Sequence, residues 1–511
     1  MNYFRVLISG ILACVTMMVI TVVALILFYS YHTPYIIITT SIFVILFDLC
    51  FAIGVINSKR QTSIKLCWVF FISAIPLIGV LSFLIFGFQP YTQKNLDTYQ
   101  EKWKPFLVHE DFNQTKKILS EKTNLHSAFN YNFNAGLSAV YENNKIEIID
   151  HITNSLETTI KLIRSAKKFI HYQTYIIHDG AWFRIVCEEL INQAKKGIEV
   201  CLLYDWVGSY HLVNRKLLKK LKQNYVKVGV FNPKGINMFK GVTNYRSHQK
   251  CLIIDNHTCY YGGSNTGDEY LGISAQYTSY QDLNYLVSGA IVNSINLNFI
   301  YNWKTFSDQA YKNPKFSPMI DQLHKLQNEQ LMQLVKSSPD YEEKTIEKTI
   351  LSLIYSAKKS IKITTPYFFP SDEILHALQL KAYSGIEIDL ILPSHNNEKE
   401  FVIITNRKHY EELKKSGVKI YEYQGFIHSK YMIIDNNLVF TGSNNLDYRS
   451  LWINFENALL IHDQLFTKQM NDVFNHNLSH CKMINETDIK TFTTLKFKFT
   501  NLLVNLIHPL I

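Results

Sequence analysis

Two stretches of the chain carry the same pattern of polar residues, and their types suit chemistry at phosphorus. The pattern is a histidine, a lysine two residues on, an aspartate after four more residues, and a glycine-containing turn that ends in asparagine. It occurs as His248, Lys250, Asp255 and Asn265, and again as His428, Lys430, Asp435 and Asn445. The histidine and the final asparagine are 17 residues apart in both copies. A lone His-x-Lys carries little weight, but identical spacing in two places makes chance a poor explanation.

The spacing places the reactive side chains on one face of each stretch. On a β-strand, residues i and i+2 point to the same side, so His248 projects with Lys250 and His428 with Lys430. Each glycine-containing turn exposes backbone N–H groups that suit an anion, and the asparagine adds side-chain donors. Two such halves, facing each other, would surround one phosphate with two imidazoles and two ammonium groups.

This equipment predicts in-line displacement at phosphorus. One imidazole attacks, and the other protonates the leaving oxygen and later deprotonates the acceptor. The lysines neutralise the developing charge without a metal. The sequence has no cluster of carboxylates that would hold Mg²⁺ or Zn²⁺, and its cysteines form neither a disulfide framework nor a zinc-ligand pattern. We therefore expect no metal and no other cofactor.

A wider repeat surrounds the two motifs and predicts the elements that position them. Residues 162–168 recur as 353–359 and residues 196–200 recur as 384–388, at offsets of 191 and 188. Short apolar runs that follow a glycine, at 200–204 and 388–392, are typical of strands. Alternating helices and strands predict an α/β lobe with a largely parallel sheet. We expect this lobe twice, joined by a polar bridge around residues 325 to 345.

The front of the chain differs from the rest. The protein has 511 residues and a net charge of +10, yet residues 1–88 carry only five charged side chains. Apolar runs at about 6–29, 35–57 and 66–88 are each long enough to cross a bilayer as a helix. We expect three membrane segments, and hence a multi-pass protein of the cell membrane. A cleaved signal peptide is the alternative for the first run, and the side of the membrane on which the remainder lies stays open.

Composition and pattern together predict five regions. Apolar residues make up 47% and charged residues 18%, which excludes a disordered chain. The expected regions are the membrane region 1–88, a connector at 89–145, a first lobe at 146–325 with its motif in 242–269, a second lobe at 335–485 with its motif in 423–450, and a tail at 488–511. The tail is either an amphipathic helix on an anionic membrane or a terminal helix packed on the second lobe.

At this point the chain resembles a known family. The paired motifs are similar to those of the phospholipase D superfamily, and the apolar N-terminal region narrows the resemblance to bacterial cardiolipin synthases. Further similar segments lie at 172–177, 204–205, 262–272, 360–368, 445–450 and 454–456. The resemblance implies two phospholipase D-type α/β lobes that form one active site and react through a phosphohistidine.

The resemblance also implies a reaction. His248 attacks the phosphorus of one phosphatidylglycerol while His428 protonates the departing glycerol. His428 then takes a proton from the glycerol hydroxyl of a second phosphatidylglycerol, and the products are cardiolipin and glycerol in a reversible transfer. The choice of His248 as the nucleophile comes from the resemblance, since the two copies are alike in sequence. The implied partners are phosphatidylglycerol and anionic membrane lipid, with no nucleic acid and an open oligomeric state.

Further residues receive roles from the resemblance. Lys250 and Lys430 join the histidines as catalytic residues, and Asn265 and Asn445 bind phosphate. Asp255 and Asp435, counted with the catalytic set, lie behind the site and brace it. Asp282 and Glu456 orient the two imidazoles. The chain departs from the family at Gln249, where Arg is usual, and over residues 280–284, where the family usually has Trp-Arg-Asp-Thr-His.

Three other functions compete with cardiolipin synthesis. A phospholipase D-type hydrolase, or a phosphatidyltransferase that uses another alcohol, differs only in what reaches the second step. An inactive scaffold that binds anionic lipid would not need the histidines, lysines and asparagines of both motifs. A nuclease could use the same motif, but the apolar N-terminal segments give it no reason to be in a membrane.

Overall fold

The computed structural model describes residues 34–58, 62–87, 96–122, 126–149, 152–232, 245–271, 280–307, 330–394, 400–495, 497 and 500–501. These belong to two compact units. The first comprises Met1–Thr92, Lys234–Asn244 and Lys498–Ile511, and the second comprises Gln93–Pro233 and Tyr245–Phe497. The predicted membrane segment 6–29 and residues 502–511 of the predicted tail lie outside the described residues.

Three helices form the described part of the first unit: α1 (Pro34–Ile56), α2 (Thr62–Ala74) and α3 (Pro76–Ser82), the last continuing as a π-helical turn, Phe83–Gly87. The predicted apolar segment 66–88 is therefore divided at Ile75, because the proline that follows it lacks an N–H group and begins a new helix. Several apolar side chains of α1 are exposed, among them Ile38, Ile45 and Leu49. Judged on the described residues, no helix of the structure is long and apolar enough to cross a membrane.

Among the residues that the structure describes, the second unit contains all the strands and the remaining named helices. Its helices are α4 (Leu96–Leu107), α5 (Phe112–Glu121), α6 (Ser127–Asn134), α7 (Ile152–Ser165), α8 (Ala181–Lys195), α9 (Trp206–Ser209), α10 (Arg215–Gln223), α11 (Ile291–Phe306), α12 (Thr345–Ser356), α13 (Asp372–Tyr383), α14 (Glu400–Arg407), α15 (Tyr410–Ser416), α16 (Gln464–Ser479) and α17 (Glu486–Phe492). Its strands are β1 (Val140–Tyr141), β2 (Asn144–Ile149), β3 (Phe169–Thr174), β4 (Glu199–Asp205), β5 (Lys227–Phe231), β6 (Cys251–Ile254), β7 (Thr258–Gly262), β8 (Tyr280–Gln281), β9 (Asn284–Gly289), β10 (Leu331–Ser337), β11 (Ser360–Thr364), β12 (Phe368–Phe369), β13 (Glu387–Pro393), β14 (Lys419–Tyr423), β15 (Phe426–Ile427), β16 (Tyr431–Ile434), β17 (Leu438–Gly442), β18 (Leu446–Asp447), β19 (Glu456–His462) and β20 (Cys481–Met483).

Two α/β lobes with matching sheets confirm the predicted duplication. The first lobe has a seven-stranded sheet in the order β2-β9-β7-β6-β3-β4-β5, and the second has a nine-stranded sheet in the order β1-β10-β19-β17-β16-β11-β13-β14-β20. The prediction of largely parallel sheets was wrong. Within these two sheets, only β3-β4-β5 and β11-β13-β14 pair in parallel, because the strands that follow each His-x-Lys turn back as tight hairpins.

The prediction of a polar bridge around residues 325 to 345 was also wrong for the part of it that the structure describes, because that part contains a buried strand. β10 is buried along its length and lies inside the second sheet, between β1 and β19. Its polar side chains are satisfied by carbonyl groups of the connector. Gln333 Nε2 donates to Ser138 O at 2.9 Å, and Lys336 Nζ donates to Leu137 O at 3.1 Å. Paired in this way, polar residues can occupy a buried strand, which a reading of hydropathy misses.

The connector packs on the second lobe. Residues of α5, α6 and β1, including Ile118, Phe129 and Val140, belong to the same buried apolar cluster as the strands and helices of that lobe. The first lobe has a separate core built from β3, β4, β6 and α8, with Phe183, Leu190 and Leu202 fully buried. The two cores hold the sheet ends that carry the predicted motifs.

Candidate active site

The two motif segments lie side by side because each lobe pairs its backbone with the other. β15, just before His428, runs parallel to β8, and His428 N–H donates to Gln281 O at 2.6 Å. In the mirrored arrangement Ser247 forms a parallel bridge with Phe455, and His248 N–H donates to Phe455 O at 3.0 Å. Each histidine is thus fixed next to the segment of the other lobe that carries a predicted orienting acid.

The His248 ring is held by the second lobe. Its Nδ1 lies 3.1 Å from Glu456 Oε1, 3.2 Å from Oε2 and 3.0 Å from Ser443 O. Glu456 is fully buried and also accepts hydrogen bonds from Ser443 Oγ, from Ser450 Oγ at 2.7 Å and from Asn454 Nδ2 at 3.2 Å. This acid is therefore fixed by several donors while it orients the imidazole.

The His428 ring is held by the first lobe. Its Nδ1 donates to Asp282 Oδ2 at 2.7 Å, and Asp282 Oδ1 accepts from Leu283 N–H at 2.8 Å. The sheet registers explain why the two acids are equivalent. Gly262 pairs with Asn284 and Gly442 pairs with Ala458, so Asp282 and Glu456 each precede the glycine's partner by two residues. Each lobe therefore supplies the acid that orients the histidine of the other lobe.

The two lysines lie within the same buried site. Lys250 Nζ donates to His248 O at 2.5 Å, while Lys430 Nζ donates to His428 O and lies 3.0 Å from His428 Nδ1. Burial lowers the pKa of Lys430 to about 8 and holds the pKa of Lys250 well below its usual value, although nearby acids act in the opposite direction. Each lysine also lowers the pKa of the histidine of the other lobe. The four groups therefore share one electrostatic environment.

Burial determines the protonation of the histidines in the site. Burial lowers the pKa of His428 to about 3, with Lys430 adding to the effect, and burial also lowers the pKa of His248. Burial alone would raise the pKa of Asp282 and of Glu456, but the lysines and histidines beside them hold both carboxyl groups below their ordinary values. Both imidazoles are thus neutral next to carboxylates. A neutral ring that donates through Nδ1 keeps the lone pair of Nε2 for chemistry.

The two asparagines have different surroundings. Asn265 Oδ1 accepts from Ile176 N–H at 3.2 Å, and its Nδ2 donates to Tyr270 Oη at 3.3 Å. Asn445 bonds to Asp447, and burial raises the pKa of this aspartate to about 6. The Oδ1 atom of Asn445 is buried and has no hydrogen-bond partner among the described residues. Phosphate binding by either asparagine stays a prediction.

Asp255 and Asp435 are not brought to the histidines. Each lies at the far end of the strand that begins after its His-x-Lys, in a hairpin turn where its backbone has positive φ (54° and 52°). The Asp255 carboxylate accepts three backbone N–H bonds of 2.7 to 2.8 Å from residues 167–169, and the Asp435 carboxylate accepts three of 2.7 to 2.9 Å from residues 358–360. These hydrogen bonds show that Asp255 and Asp435 stabilise the fold. The prediction that counted them with the catalytic residues is therefore corrected.

Aromatic side chains around the imidazoles were not identified from the sequence as site residues. The Tyr175 ring meets His248 edge to face at 5.0 Å, and Lys250 Nζ lies 5.6 Å from its centroid. Around His428 stand Phe426 at 5.7 Å, Tyr280 at 5.7 Å and Tyr270 at 6.2 Å. Of these, Tyr175 and Tyr270 lie within segments that resemble the family, whereas Tyr280 lies where the chain departs from it.

Gln249, the departure from the family's usual arginine, faces away from the reactive groups. Its Oε1 accepts from Asn298 Nδ2 at 2.8 Å and from Asn302 Nδ2 at 2.6 Å, both on α11. Gln249 precedes β6 and points away from His248 and Lys250, as the alternation predicted from the sequence requires. A neutral amide suits this buried cluster of amides.

One group of potential metal ligands occurs within the described part of the chain, and it is separate from the histidine pair. His171, Glu199 and Cys201 lie together on β3 and β4. Glu199 already pairs with Lys227 Nζ at 2.9 Å, and His171 Nδ1 contacts Asn296 at 2.7 Å. A cation is therefore already present at the only carboxylate of this group.

Comparison with known proteins agrees with this architecture. A family model described as cardiolipin synthase, PLD-like domain, matches residues 159–290 and 350–478. A cardiolipin synthase of Halalkalibacterium halodurans is 32% identical over 438 residues, covering 83% of this chain and 85% of that protein. Cardiolipin synthase 2 of Bacillus anthracis is 32% identical over 425 residues, covering 81% and 80% respectively.

Among solved structures, phosphatidylserine synthase of Haemophilus influenzae has the same fold. It superimposes with a TM-score of 0.56 at 16% identity, over 72% of this chain and 95% of that chain. Both matched segments of the family model contain one His-x-Lys motif, and the relatives match most of the chain. The chain therefore belongs to the cardiolipin synthases with phospholipase D-like domains, a family of phosphatidyltransferases.

Proposed function

We propose that the protein makes cardiolipin by transferring a phosphatidyl group from one phosphatidylglycerol to the glycerol headgroup of another. The observation that carries the proposal is the exchange of acids between the lobes. It leaves two neutral, oriented imidazoles and two lysines in one site, with His248 bound to Glu456 and His428 bound to Asp282. This is the set that a double displacement at phosphorus requires.

In the first displacement His248 Nε2 attacks the phosphorus, and an N–P bond forms as the bond from phosphorus to the glycerol oxygen breaks. His428 gives its Nε2 proton to that oxygen, and glycerol leaves. Lys250 and Lys430 face the phosphoryl oxygens and stabilise the charge that develops on them. Glu456 stabilises the positive charge of the phosphorylated His248, with which its carboxylate is in contact.

In the second displacement an alcohol oxygen attacks the phosphorus, whereas in the first the glycerol oxygen leaves it. His428, now neutral, takes the proton from a hydroxyl of the second phosphatidylglycerol as its oxygen attacks phosphorus. The N–P bond breaks, cardiolipin forms, and His248 returns to its neutral state. One phosphodiester is exchanged for another, so the transfer is reversible and uses no nucleotide.

To act as the general acid, His428 must carry a second proton, which its low pKa disfavours before substrate binds. His428 has a low pKa because it is buried and lies near Lys430 and Lys250. An anionic phosphodiester bound between these lysines offsets their charge and raises the pKa of His428. Substrate binding therefore brings the proton to the imidazole that needs it.

The proposal includes a location at the cell membrane through residues 1–88. Support comes from the three apolar runs of the sequence and from the exposed apolar side chains of α1, such as Ile45, which is 64% exposed. Alkaline carbonate extraction of membranes from a bacterial host tests this location. Release of the full-length protein into the supernatant would contradict it.

A lipid analysis tests the reaction. Full-length protein is incubated with phosphatidylglycerol vesicles and a chelator of divalent cations, with His248→Ala and His428→Ala proteins beside it. Cardiolipin and glycerol should appear in equal amounts in the wild-type sample and in neither variant. Phosphatidic acid as the main product would instead assign the protein to the hydrolases, and substantial synthesis in either variant would refute the two-imidazole mechanism.

A further inference from the structure

Two hydrogen-bonded tyrosine hydroxyl groups belong to rings that stand beside His428. Tyr280 Oη donates to Tyr270 Oη at 3.1 Å, and Asn265 Nδ2 donates to the same Tyr270 oxygen at 3.3 Å. Both tyrosine rings stand within 6.2 Å of the His428 ring. Three first-lobe residues thus converge on the imidazole that handles the alcohol oxygen.

The Tyr270 hydroxyl has a hydrogen to give. Its oxygen already accepts two hydrogen bonds, and burial raises the pKa of Tyr270 far above its ordinary value, so the proton stays on the oxygen. Among the described residues no acceptor takes that hydrogen. A buried donor without an acceptor is costly unless a bound molecule satisfies it.

The other lobe uses the equivalent position differently. Tyr270 follows Gly262 by eight residues, as Ser450 follows Gly442. Ser450 Oγ donates its hydrogen bond to Glu456 at 2.7 Å. Asp282, the corresponding acid of the first lobe, accepts instead from His428 and from Leu283 N–H. At this position, therefore, the first lobe offers a donor that the second lobe has already used.

We propose that Tyr270 donates a hydrogen bond to a hydroxyl of the glycerol headgroup beside His428, and that it selects a polyol acceptor over water or a simple alcohol. The proposal rests on the proposed function and names the residue that selects its acceptor. Tyr280 is a positioning residue, since its hydroxyl only fixes the direction of the Tyr270 hydroxyl.

The glycerol hydroxyl fits this donor better than the phosphate does. Phosphoryl oxygens are drawn to the ammonium groups of the two lysines, which lie beside the histidines. Next to the reacting glycerol oxygen is a carbon that bears a second hydroxyl, and the tyrosine rings offer apolar faces to the carbon chain. A site built to hydrogen-bond such a hydroxyl discriminates strongly against an acceptor that lacks it.

A competition between two acceptors tests the proposal. Full-length protein in phosphatidylglycerol micelles receives equal concentrations of deuterated glycerol and 1-propanol, and mass spectrometry gives the ratio of deuterated phosphatidylglycerol to phosphatidylpropanol. Both acceptors compete for the same phosphohistidine, so the ratio is independent of the first displacement. Tyr270→Phe should lower the ratio by about 10- to 100-fold. Tyr280→Phe should lower it less, in the same direction.

Tyr410→Phe is the matched control, because it also removes a buried hydroxyl, one that donates to Glu422 at 3.1 Å on the second lobe. Its ratio should equal that of the wild type. An unchanged ratio in folded Tyr270→Phe protein overturns the proposal, even if both rates fall together, since a purely structural role would slow both products equally. Should Tyr270→Phe fail to fold, an unchanged ratio in Tyr280→Phe overturns it.

The same competition separates the two proposals. If the wild-type protein exchanges glycerol but forms no cardiolipin, the proposed function fails while the ratio still judges Tyr270. If cardiolipin forms and the ratio does not respond to Tyr270→Phe, the proposed function stands and this inference falls.

Discussion

His428 and Asp282 are 146 positions apart in the chain, yet the histidine's Nδ1 lies 2.7 Å from the aspartate's Oδ2. The partner pair, His248 and Glu456, spans 208 positions in the opposite sense between the lobes. Neither motif histidine is oriented by an acid of its own lobe. The duplicated chain therefore needs both lobes for each half of its proposed reaction.

The exchanged acids predict the effect of removing their charge. Asp282→Asn and Glu456→Gln keep the shape of the side chain but can bond to either imidazole tautomer, and they no longer stabilise a charged ring. We expect each change to lower the rate of cardiolipin formation by about 10² or more. The control is Glu412→Gln, which removes a carboxylate that contacts His409 outside the site. Rates within a factor of two of the wild type in the Asp282 variant would show that the pair does not matter.

Lys430 predicts an alkaline limit to activity. Its pKa of about 8 in the folded protein means that the free enzyme loses this ammonium as the pH rises through 8. Because kcat/KM reports the free enzyme, kcat/KM should fall above about pH 8, and Lys430→Arg should move the fall to higher pH. An alkaline limb at the same pH in the arginine variant would assign it to another group, such as Lys250.

Loss of the Lys430 proton should lower kcat/KM as the pH rises, but it should raise the free energy of unfolding. The two pH effects can therefore be distinguished. The folded pKa of Lys430 is lower than the value of 10.5 for an unperturbed lysine. Between these values the unfolded chain binds more protons than the folded one, so this lysine's contribution to the free energy of unfolding rises with pH. Thermal unfolding scans from pH 8 to 10 should therefore show no destabilisation that traces to Lys430.

The close contact between Gly263 and Lys430 predicts that activity depends on the exact position of the Lys430 ammonium group. A Cβ at this position would lie 3.1 Å from Lys430 Nζ and 3.2 Å from Asp282 Oδ1. Gly263→Ala should push the flexible end of Lys430 aside and lower kcat/KM by about 10- to 100-fold, with little change in thermal stability. Gly54→Ala is the matched control, since a Cβ there meets open space. Full activity in Gly263→Ala would mean that the lysine position tolerates such a shift.

Asp255 and Asp435 predict a loss of stability rather than of chemistry. Each carboxylate accepts three backbone N–H bonds and occupies a left-handed turn position that aspartate and asparagine tolerate better than alanine. Asp255→Ala should lower the free energy of unfolding by about 2 to 4 kcal/mol, and Asp255→Asn by less. Activity per folded molecule should stay near that of the wild type, as measured by denaturation curves beside the lipid assay. A stable but inactive alanine variant would return Asp255 to the catalytic residues.

Much of the domain organisation could be predicted from the sequence. The repeat of helix, Lys-Lys turn and strand predicted two lobes, since the strand β4 and its counterpart β13 are continuous in sequence and apolar. Local pattern did not reveal β10, whose Gln333 and Lys336 resemble surface residues until connector carbonyls are placed around them. It also could not give strand direction, because pairing across the sheet depends on the hairpins that follow each motif.

The sequence by itself determined which residue types recur at which spacing, and so which side chains share a strand face: His248 with Lys250, and His428 with Lys430. That information is local, because a strand's alternation follows from its backbone geometry. Only the tertiary structure decided which acid serves which histidine and where the hairpin aspartates stand. It also decided that Tyr270 and Tyr280 stand beside His428. The contacts of the acids and the tyrosines with the histidines join positions more than a hundred residues apart, and the packing of the two lobes, not the spacing within either, brings them together. The hairpin aspartates contact residues 75 to 88 positions away in their own lobe.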